Sequence, residues 1–369
     1  MENEKNRPQI ETLACPYQDC QLYAQKAAGN LSVRKLYGKD RIRYLRCGAC
    51  AREFSERKGT ALFNTKVAEH KAISVAEHLA EGVSTKGTSR LVGVSAEAVR
   101  RLRRNLGDHA KTFHDERVRE LEATSVQMDE RHGYATTKNQ PFWEATAIDP
   151  ESRLLIGFVG GGRDEALIEE LMESTKKRLK EPKDLVVMTD GHKSYESLFP
   201  SVFGEPYRPA RNGRKGRFPK LRHRINRSLA HLQLIKRREG GRVVEVVPST
   251  AHGSRKRVEK ELGKLGYEKP NLSAIERQNG TARRMNAYLI RKSLAFARRK
   301  ESREAVGWWS ALVYNFCRAQ RGLREPLCVS EGRRRYERRT PAMAAKLTDF
   351  IWTVADVLRT PVYSAEGAR

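Results

Sequence analysis

Two close pairs of cysteines near the N-terminus constrain the fold of this chain more than any other feature. Cys15 and Cys20 form the first pair, and Cys47 and Cys50 form the second. Each pair can place two thiolates on the same side of a turn, so the two pairs together suit a closed tetrahedral zinc site. The basic segment between them alternates basic and apolar residues, which predicts a strand. We expect a zinc ribbon over residues 1–62, with Zn²⁺ in a structural role because four protein ligands leave no open position.

The charge of the chain predicts its partner. Its formal net charge is +27 over 369 residues, an excess that favours a polyanionic partner, most simply nucleic acid. A membrane surface would also attract it, but no apolar run approaches the ~20 residues of a spanning helix. The polar N-terminal residues also lack a signal-peptide core. We therefore expect a cytoplasmic, nucleoid-associated protein that binds double-stranded DNA and no membrane.

Residues 63–123 predict a helix-turn-helix DNA-binding domain that ends in a charged helical linker over 109–123. Two short helices precede a glycine turn and a third helix, predicted over Ala96–Leu106 with Ser95 as its N-cap. The recognition helix of such a motif enters the major groove. The predicted DNA-binding residues are Ser95, Glu97, Arg100, Arg101 and Arg104. A plain helical bundle with solvated arginines is the alternative.

From residue 124 onward the pattern becomes that of an α/β domain, predicted over 124–325. It runs strand, strand, strand, helix, strand, short helix. The predicted elements cover 125–130, 142–148, 153–159, 164–179 and 185–188, with the short helix directly after them. The last of these strands is continuously apolar, which is typical of a strand buried on both faces.

Two acids lie on the first and fourth of these strands. In the first strand, Glu130 shares the face of Met128, so Asp129 is the better candidate for a shared site. Asp190 ends the buried fourth strand, just before a glycine turn, where functional sites are commonly built.

A third acid, Glu276, lies in a predicted helix over 271–286. On that helix it shares one side with Asn279 and Arg283. Three convergent carboxylates would supply oxygen ligands for two Mg²⁺ ions, which could act on a phosphodiester. A capping box, in which Glu276 serves its own helix start together with Ser273, is the alternative role.

The long segment between the fourth strand and this helix predicts an insertion over about 211–270. A fifth strand is predicted at 207–210, followed by a basic loop rich in glycine and arginine over 211–220. Two apolar runs on either side of 238–242 then predict a hairpin. We interpret the hairpin as a basic surface that contacts phosphates; a solvated charged face is the alternative.

The whole chain resembles DDE transposases of bacterial insertion sequences, most closely the insertion-sequence-one family. The motifs that carry the resemblance are CPYQDC, CGACAREFSERKGT, EGVSTKGTSRLVGVSAEAVRRLRR, QMDE, VVMTDGHKSY and AIERQNGTARRMN. The resemblance implies a multidomain α+β fold. Its parts are an N-terminal zinc ribbon, a helix-turn-helix, an α/β ribonuclease H-like domain with an inserted basic β-hairpin region, and a C-terminal tail over 326–369.

By position in these motifs, the resemblance implies Asp129, Asp190 and Glu276 as catalytic residues and Mg²⁺ ligands. It also implies that Asn279 and Arg283 support the last acid. The implied activity is that of a transposase, which binds element ends and catalyses metal-dependent phosphodiester hydrolysis and strand transfer.

Because two DNA ends must be paired, we expect a homodimer or a larger homo-oligomer. Two alternatives remain open: a non-catalytic DNA-binding regulator derived from a transposase, and a nuclease that only hydrolyses.

Overall fold

The computed structural model describes residues 8–38, 40–210, 217–290, 293–331 and 334–363. The chain divides into two compact units. The first unit comprises Met1–Arg117, Ala282–Arg318 and Phe350–Arg369, and the second comprises Val118–Thr281 and Ala319–Asp349. The predicted domain boundaries remain predictions, and much of the predicted basic loop, 211–216, lies outside the described residues.

The strands and helices are numbered here in chain order. The strands are β1 (Leu31–Tyr37), β2 (Ile42–Cys47), β3 (Glu53–Ser55), β4 (Ser125–Tyr134), β5 (Pro141–Ile148), β6 (Leu155–Gly161), β7 (Val186–Asp190), β8 (Glu205–Tyr207), β9 (Arg222–Arg224), β10 (Ala230–Glu239), β11 (Arg242–His252), β12 (Glu325–Glu331) and β13 (Arg334–Glu337). The α-helices are α1 (Glu69–Ala80), α2 (Thr85–Val92), α3 (Ala96–Arg117), α4 (Glu165–Arg178), α5 (Lys193–Phe203), α6 (Arg255–Lys264), α7 (Ser273–Met285), α8 (Lys300–Leu312), α9 (Pro341–Ala344) and α10 (Val354–Arg359). None of the helices in the described parts of the chain is long and apolar enough to cross a membrane.

In the first unit, three antiparallel strands in the order β1-β2-β3 precede the helices α1, α2 and α3. The strand predicted between the cysteine pairs is confirmed as β2. The helix predicted at Ala96 is also confirmed, and Ser95 Oγ caps it by accepting a hydrogen bond from the backbone N–H of Ala98 at 3.1 Å.

The helix α3 does not end near Leu106, and the helical structure predicted for the linker over 109–123 is confirmed as far as Arg117. It continues to Arg117 because His109, Phe113 and His114 are buried in the core of the first unit. The ring of Phe113 packs edge-on against Phe316, with the centroids 5.2 Å apart. Buried residues recur at helical spacing in this stretch, but the many charged residues between them obscure the pattern in the sequence.

The second unit is built on a mixed six-stranded sheet in the order β11-β10-β7-β4-β5-β6. Strands β4, β5 and β6 are antiparallel neighbours, whereas β7 runs parallel to β4 and β10 runs parallel to β7. The predicted order of strand, strand, strand, helix, strand, helix is confirmed as β4, β5, β6, α4, β7 and α5. Asp164 caps α4 through a 3.0 Å hydrogen bond from the backbone N–H of Leu167.

The fifth strand of this sheet is not the one predicted from the sequence. The segment at 207–210 was expected to supply it, but β8 pairs with β9 in a separate two-stranded sheet. The fifth strand is β10, the first arm of the predicted hairpin. Its residues Ala230–Leu234 are buried in the main sheet and Ile235–Glu239 are exposed, so the hairpin belongs to the central sheet and is not a separate insertion.

A buried histidine makes the stability of the first unit depend on pH. Burial lowers the pKa of His109 to about 4, although a hydrogen bond between its Nε2 and the backbone oxygen of Val357 at 3.0 Å acts in the opposite direction. The unfolded chain takes up this proton near the ordinary pKa of 6.5, so the contribution of His109 is complete above pH 6.5. It is lost as the pH falls from 6.5 towards 4.

We predict that the titration of His109 lowers the free energy of unfolding by about 2 kcal/mol between pH 7 and pH 5. The variant His109→Gln should make the free energy of unfolding less dependent on pH over this range. Urea unfolding followed by tryptophan fluorescence measures it, because Trp308, Trp309 and Trp352 lie in the first unit. His70→Gln is the matched control, since His70 is exposed. An unchanged slope in His109→Gln would contradict the prediction.

Candidate metal centre and acidic site

The four cysteines of the two pairs come together in the first unit. Cys15 Sγ lies 3.7 Å from Cys50 Sγ, and Cys20 Sγ lies 3.9 Å from Cys47 Sγ. All four sulfurs lie within 4.8 Å of one another. A tetrahedral zinc with Zn–S bonds of about 2.3 Å requires sulfurs roughly 3.8 Å apart. The cluster therefore fits a metal ion such as zinc.

Hydrogen-bond donors reach sulfurs of this cluster, while burial raises the pKa of the Cys15 and Cys20 thiols. Asn30 Nδ2 donates to Cys47 Sγ at 3.1 Å. Burial acts to raise the pKa of the Cys50 thiol, but hydrogen bonds from the backbone and side chain of Arg52 outweigh it and lower that pKa to about 6. Such second contacts orient ligands and favour the deprotonated sulfur that a metal needs.

We predict that the purified chain carries one zinc ion and that Cys20→Ser removes it, because three thiolates cannot close the tetrahedron. Atomic absorption on chelator-washed protein measures the metal content, and thermal melting measures the accompanying loss of stability. Cys317→Ser serves as the control, since Cys317 lies outside the cluster. Equal zinc content in Cys20→Ser and the unaltered chain would count against a structural metal.

In the second unit, the sheet places two of the predicted acids side by side. Gln127 of β4 pairs with Met188 of the parallel strand β7, so the same register, continued two residues along, brings Asp129 level with Asp190. Neighbouring strands lie about 4.8 Å apart, and the charge of Asp190 acts on Asp129. Asp190 stands at the carboxyl end of β7, where α/β sheets commonly form their sites, and Asp129 lies beside it midway along β4.

Asp129 is the acid most affected by its surroundings. Burial raises its pKa to about 7, the charges of Glu130 and Asp190 add to the rise, and the ammonium of Lys236 opposes it. One oxygen of the Asp129 carboxylate accepts a 2.7 Å hydrogen bond from Asn279 Nδ2. Mutual repulsion among these acids is relieved by a cation placed between them.

Asn279 is positioned to serve Asp129. Arg131 Nη1 donates to Asn279 Oδ1 at 3.5 Å and to Gln278 Oε1 at 3.2 Å, which leaves the Asn279 amide nitrogen directed at Asp129. Arg131 is itself held by a buried ion pair with Glu144, at 2.7 Å. The sequence reading assigned Asn279 to the support of the last acid, whereas its hydrogen bond goes to the first.

Glu276 lies on α7, and its carboxylate does not serve the helix start. The first helical residue is Ser273, whose backbone N–H bonds to Asn271 Oδ1 at 3.1 Å, and Glu276 Oε1 instead accepts from Lys236 Nζ at 2.8 Å. The capping-box alternative is therefore wrong. Its neighbour Arg283 is half-buried on the same helix but falls within the first unit.

The three predicted acids do not close around a single point as the cysteines do. Among the described residues, only the four cysteines form a group of three or more metal-ligating side chains within 4.8 Å. Lys236 is bonded to Glu276 and acts on Asp129, so an ammonium occupies the acidic site. Asp129 and Asp190 supply hard oxygen donors that suit a divalent ion, and Glu276 can join them only by leaving Lys236.

Two neighbours of the acids are not predicted as site residues from the sequence. The alternation of β4 puts Glu130 on the face of Met128 and therefore favours Asp129 for the shared site. The Glu130 side chain is nevertheless only 2% exposed. Burial raises its pKa, a hydrogen bond from the Tyr195 hydroxyl lowers it, and Asp190 raises it again. Lys236 lay inside the predicted hairpin, where nothing distinguished it from other basic residues. Only the pairing of β10 with β7 directs it to the acids.

The predicted DNA-binding residues lie along α3 of the first unit. Arg100, Arg101 and Arg104 are exposed, and Arg100 pairs with Glu97 at 2.5 Å. Ser95 is exposed as well, but its hydroxyl is engaged in capping the helix. The helix thus presents a cationic side to solvent.

Comparison with protein-family models and with curated proteins gave no match to this chain. Any function must therefore be argued from the two sites themselves.

We predict that Lys236→Ala strengthens divalent-ion binding at the acids by on the order of tenfold, because Lys236 competes for Glu276 and repels a dication. Titration with Mn²⁺, followed by electron paramagnetic resonance without DNA, measures the affinity. Lys264→Ala is the matched control, because Lys264 makes a comparable 2.8 Å pair with Glu151 away from the acids. Weaker Mn²⁺ binding in Lys236→Ala than in the control would be the contrary result.

Proposed function

We propose that this protein is a metal-dependent DNA strand-transfer enzyme of the DDE transposase type. The observation that carries the proposal is the register of the central sheet. It brings Asp129, midway along β4, level with Asp190 at the carboxyl end of the parallel strand β7, with α7 and its Glu276 beside them through Asn279 and Lys236. The resemblance of the motifs around these three acids to insertion-sequence transposases agrees with this geometry.

Other features of the chain support the same proposal. Three antiparallel strands followed by two parallel ones, with helices between, suit the ribonuclease H-like domain that the resemblance implies. The four-cysteine cluster suits a zinc ribbon, and the capped, arginine-bearing helix α3 suits a helix-turn-helix. A net charge of +27 favours a DNA partner.

In the proposed reaction, a water oxygen attacks a phosphodiester at the end of the element, and the 3′ oxygen leaves as a hydroxyl. That hydroxyl then attacks a phosphodiester of the target DNA and displaces a second 3′ oxygen, with no covalent protein–DNA intermediate. Magnesium, when bound, would neutralise the phosphate and favour ionisation of the attacking hydroxyl.

The residues of the chain have distinct parts in this proposal. Asp129 and Asp190 would hold the cation. Asn279, oriented by Arg131, fixes the rotamer of Asp129. Glu276, which now accepts a hydrogen bond from Lys236, would be the third acid available to a cation, and the Lys236 ammonium would then be free to contact a phosphate oxygen.

A second function is favoured by one observation. Because Glu276 pairs with Lys236 at 2.8 Å, the alternative is a chain that binds DNA without catalysis, as a regulator derived from a transposase. In that case the ion pair is structural, and DNA binding is indifferent to magnesium.

We predict that Asp129→Asn lowers magnesium-dependent nicking and joining on the order of 1,000-fold, since a catalytic metal contributes several kcal/mol. The substrate is a labelled duplex carrying the DNA that flanks the gene of this protein, and new 3′ ends and joined products are mapped on sequencing gels. Binding of the same duplex should persist, because the change removes a ligand and leaves the DNA-binding helix intact.

Glu170→Gln is the control, since Glu170 is an exposed acid of the same unit on α4. Cleavage retained by Asp129→Asn would refute the catalytic assignment. Nicking without joining would identify a nuclease, and binding that ignores magnesium with no cleavage would identify the regulator.

A further inference from the structure

We infer that the first unit binds the phosphate backbone of a DNA strand in a groove beside α3, separate from any reading of base edges by that helix. The groove has a volume of about 930 Å³ and lies between α2, α3 and a third wall formed by Tyr288 and residues 294–302. All of its walls belong to the first unit. The identity of the ligand as DNA rests on the proposed function. The groove also extends the predicted DNA-binding surface beyond the helix-turn-helix, to residues outside that motif.

A buried arginine forms part of the lining. Arg103 is only 8% exposed, and its guanidinium donates to Thr85 Oγ1 at 3.0 Å, Tyr288 OH at 2.5 Å and Ser302 Oγ at 2.8 Å. All three partners are hydroxyl groups, one from α2 and two from the wall opposite α3, and none of them neutralises the charge. A buried cation is costly unless an anion accompanies it, so the groove is built to accept one.

The rim of the groove repeats this preference. Six more basic side chains line it and one acid, Glu97, does so; the basic residues are Lys86, Arg90, Arg100, Arg104, Arg298 and Arg299. The six are exposed, as expected for contacts with a solvated backbone. Arg101, on another side of α3, does not line the groove. The predicted DNA-binding arginines therefore divide into two groups.

The segment opposite α3 also supplies apolar contacts. Leu294 is 99% exposed and Phe296 is 40% exposed, and both line the groove. Exposed apolar side chains beside a row of cations suit sugars and base faces next to phosphates. Phosphate contacts of this kind add affinity and salt dependence but carry no sequence information.

The test is the salt dependence of DNA binding without added magnesium. A fluorescein-labelled duplex of arbitrary sequence and its single strand are titrated by anisotropy over a range of KCl concentrations. Replacing both Arg298 and Arg299 by Ala should weaken binding of at least one probe about tenfold or more and reduce its salt slope by about 2, since each phosphate contact contributes about 0.9. Whichever probe responds identifies the duplex or the unpaired strand as the occupant.

Replacing Lys177 and Lys180 by Ala provides the matched control, because it removes two exposed cations from the second unit. Arg103→Lys tests the groove separately: it keeps the charge but loses the three-way bonding, so it should weaken binding while the salt slope stays within about 1 of the unaltered chain. Thermal melting excludes misfolding as the cause.

If the unaltered chain binds DNA and the Arg298/Arg299 variant behaves like the control, the groove inference is overturned and the proposed function stands. If the unaltered chain binds no DNA at all, the proposed function fails as well.

Discussion

The parallel pairing of β7 with both β4 and β10 is the constraint on which the acidic site depends. It sets Asp129 level with Asp190 on one side and aligns Leu234 with Asp190 on the other. Lys236, two residues further along β10, therefore lies past the end of β7, on the side of the same acids. A slip of one residue in either ladder would turn these side chains to the opposite face. The buried apolar residues Val186, Met188, Leu232 and Ile275 hold the ladders in this register.

The charges of the site are balanced within the protein. Burial raises the pKa of Asp129 and the charges of Glu130 and Asp190 add to the rise, whereas Lys236, which pairs with Glu276, lowers it. The helix α7 carries both Asn279, which donates a hydrogen bond to Asp129, and Glu276, which pairs with Lys236. The two residues lie one turn apart on this helix. Motion of Lys236 is then the event that would open the site.

Much of the architecture could be predicted from local pattern, and the failures have physical causes. Alternation in 125–130, a continuously apolar run at 185–188 and the cap at Ser95 are local signals, and each element was found where expected. The sequence does not predict that β10 is a strand of the main sheet. Its buried half, Ala230–Leu234, and its exposed half belong to one strand, and the parallel pairing of that strand has no signature in the local sequence. The three acids could be nominated by position, but the Lys236–Glu276 pair depends on residues 40 positions apart.

The central claim, that Asp129 and Asp190 share a divalent ion which Glu276 joins, is tested most directly by anomalous diffraction from crystals of the protein soaked in Mn²⁺. The account predicts an anomalous peak within coordination distance of both the Asp129 and Asp190 carboxylates, with the Glu276 side chain rotated away from Lys236. A map without a peak between the two acids, in crystals where Lys236 still holds Glu276, would contradict it.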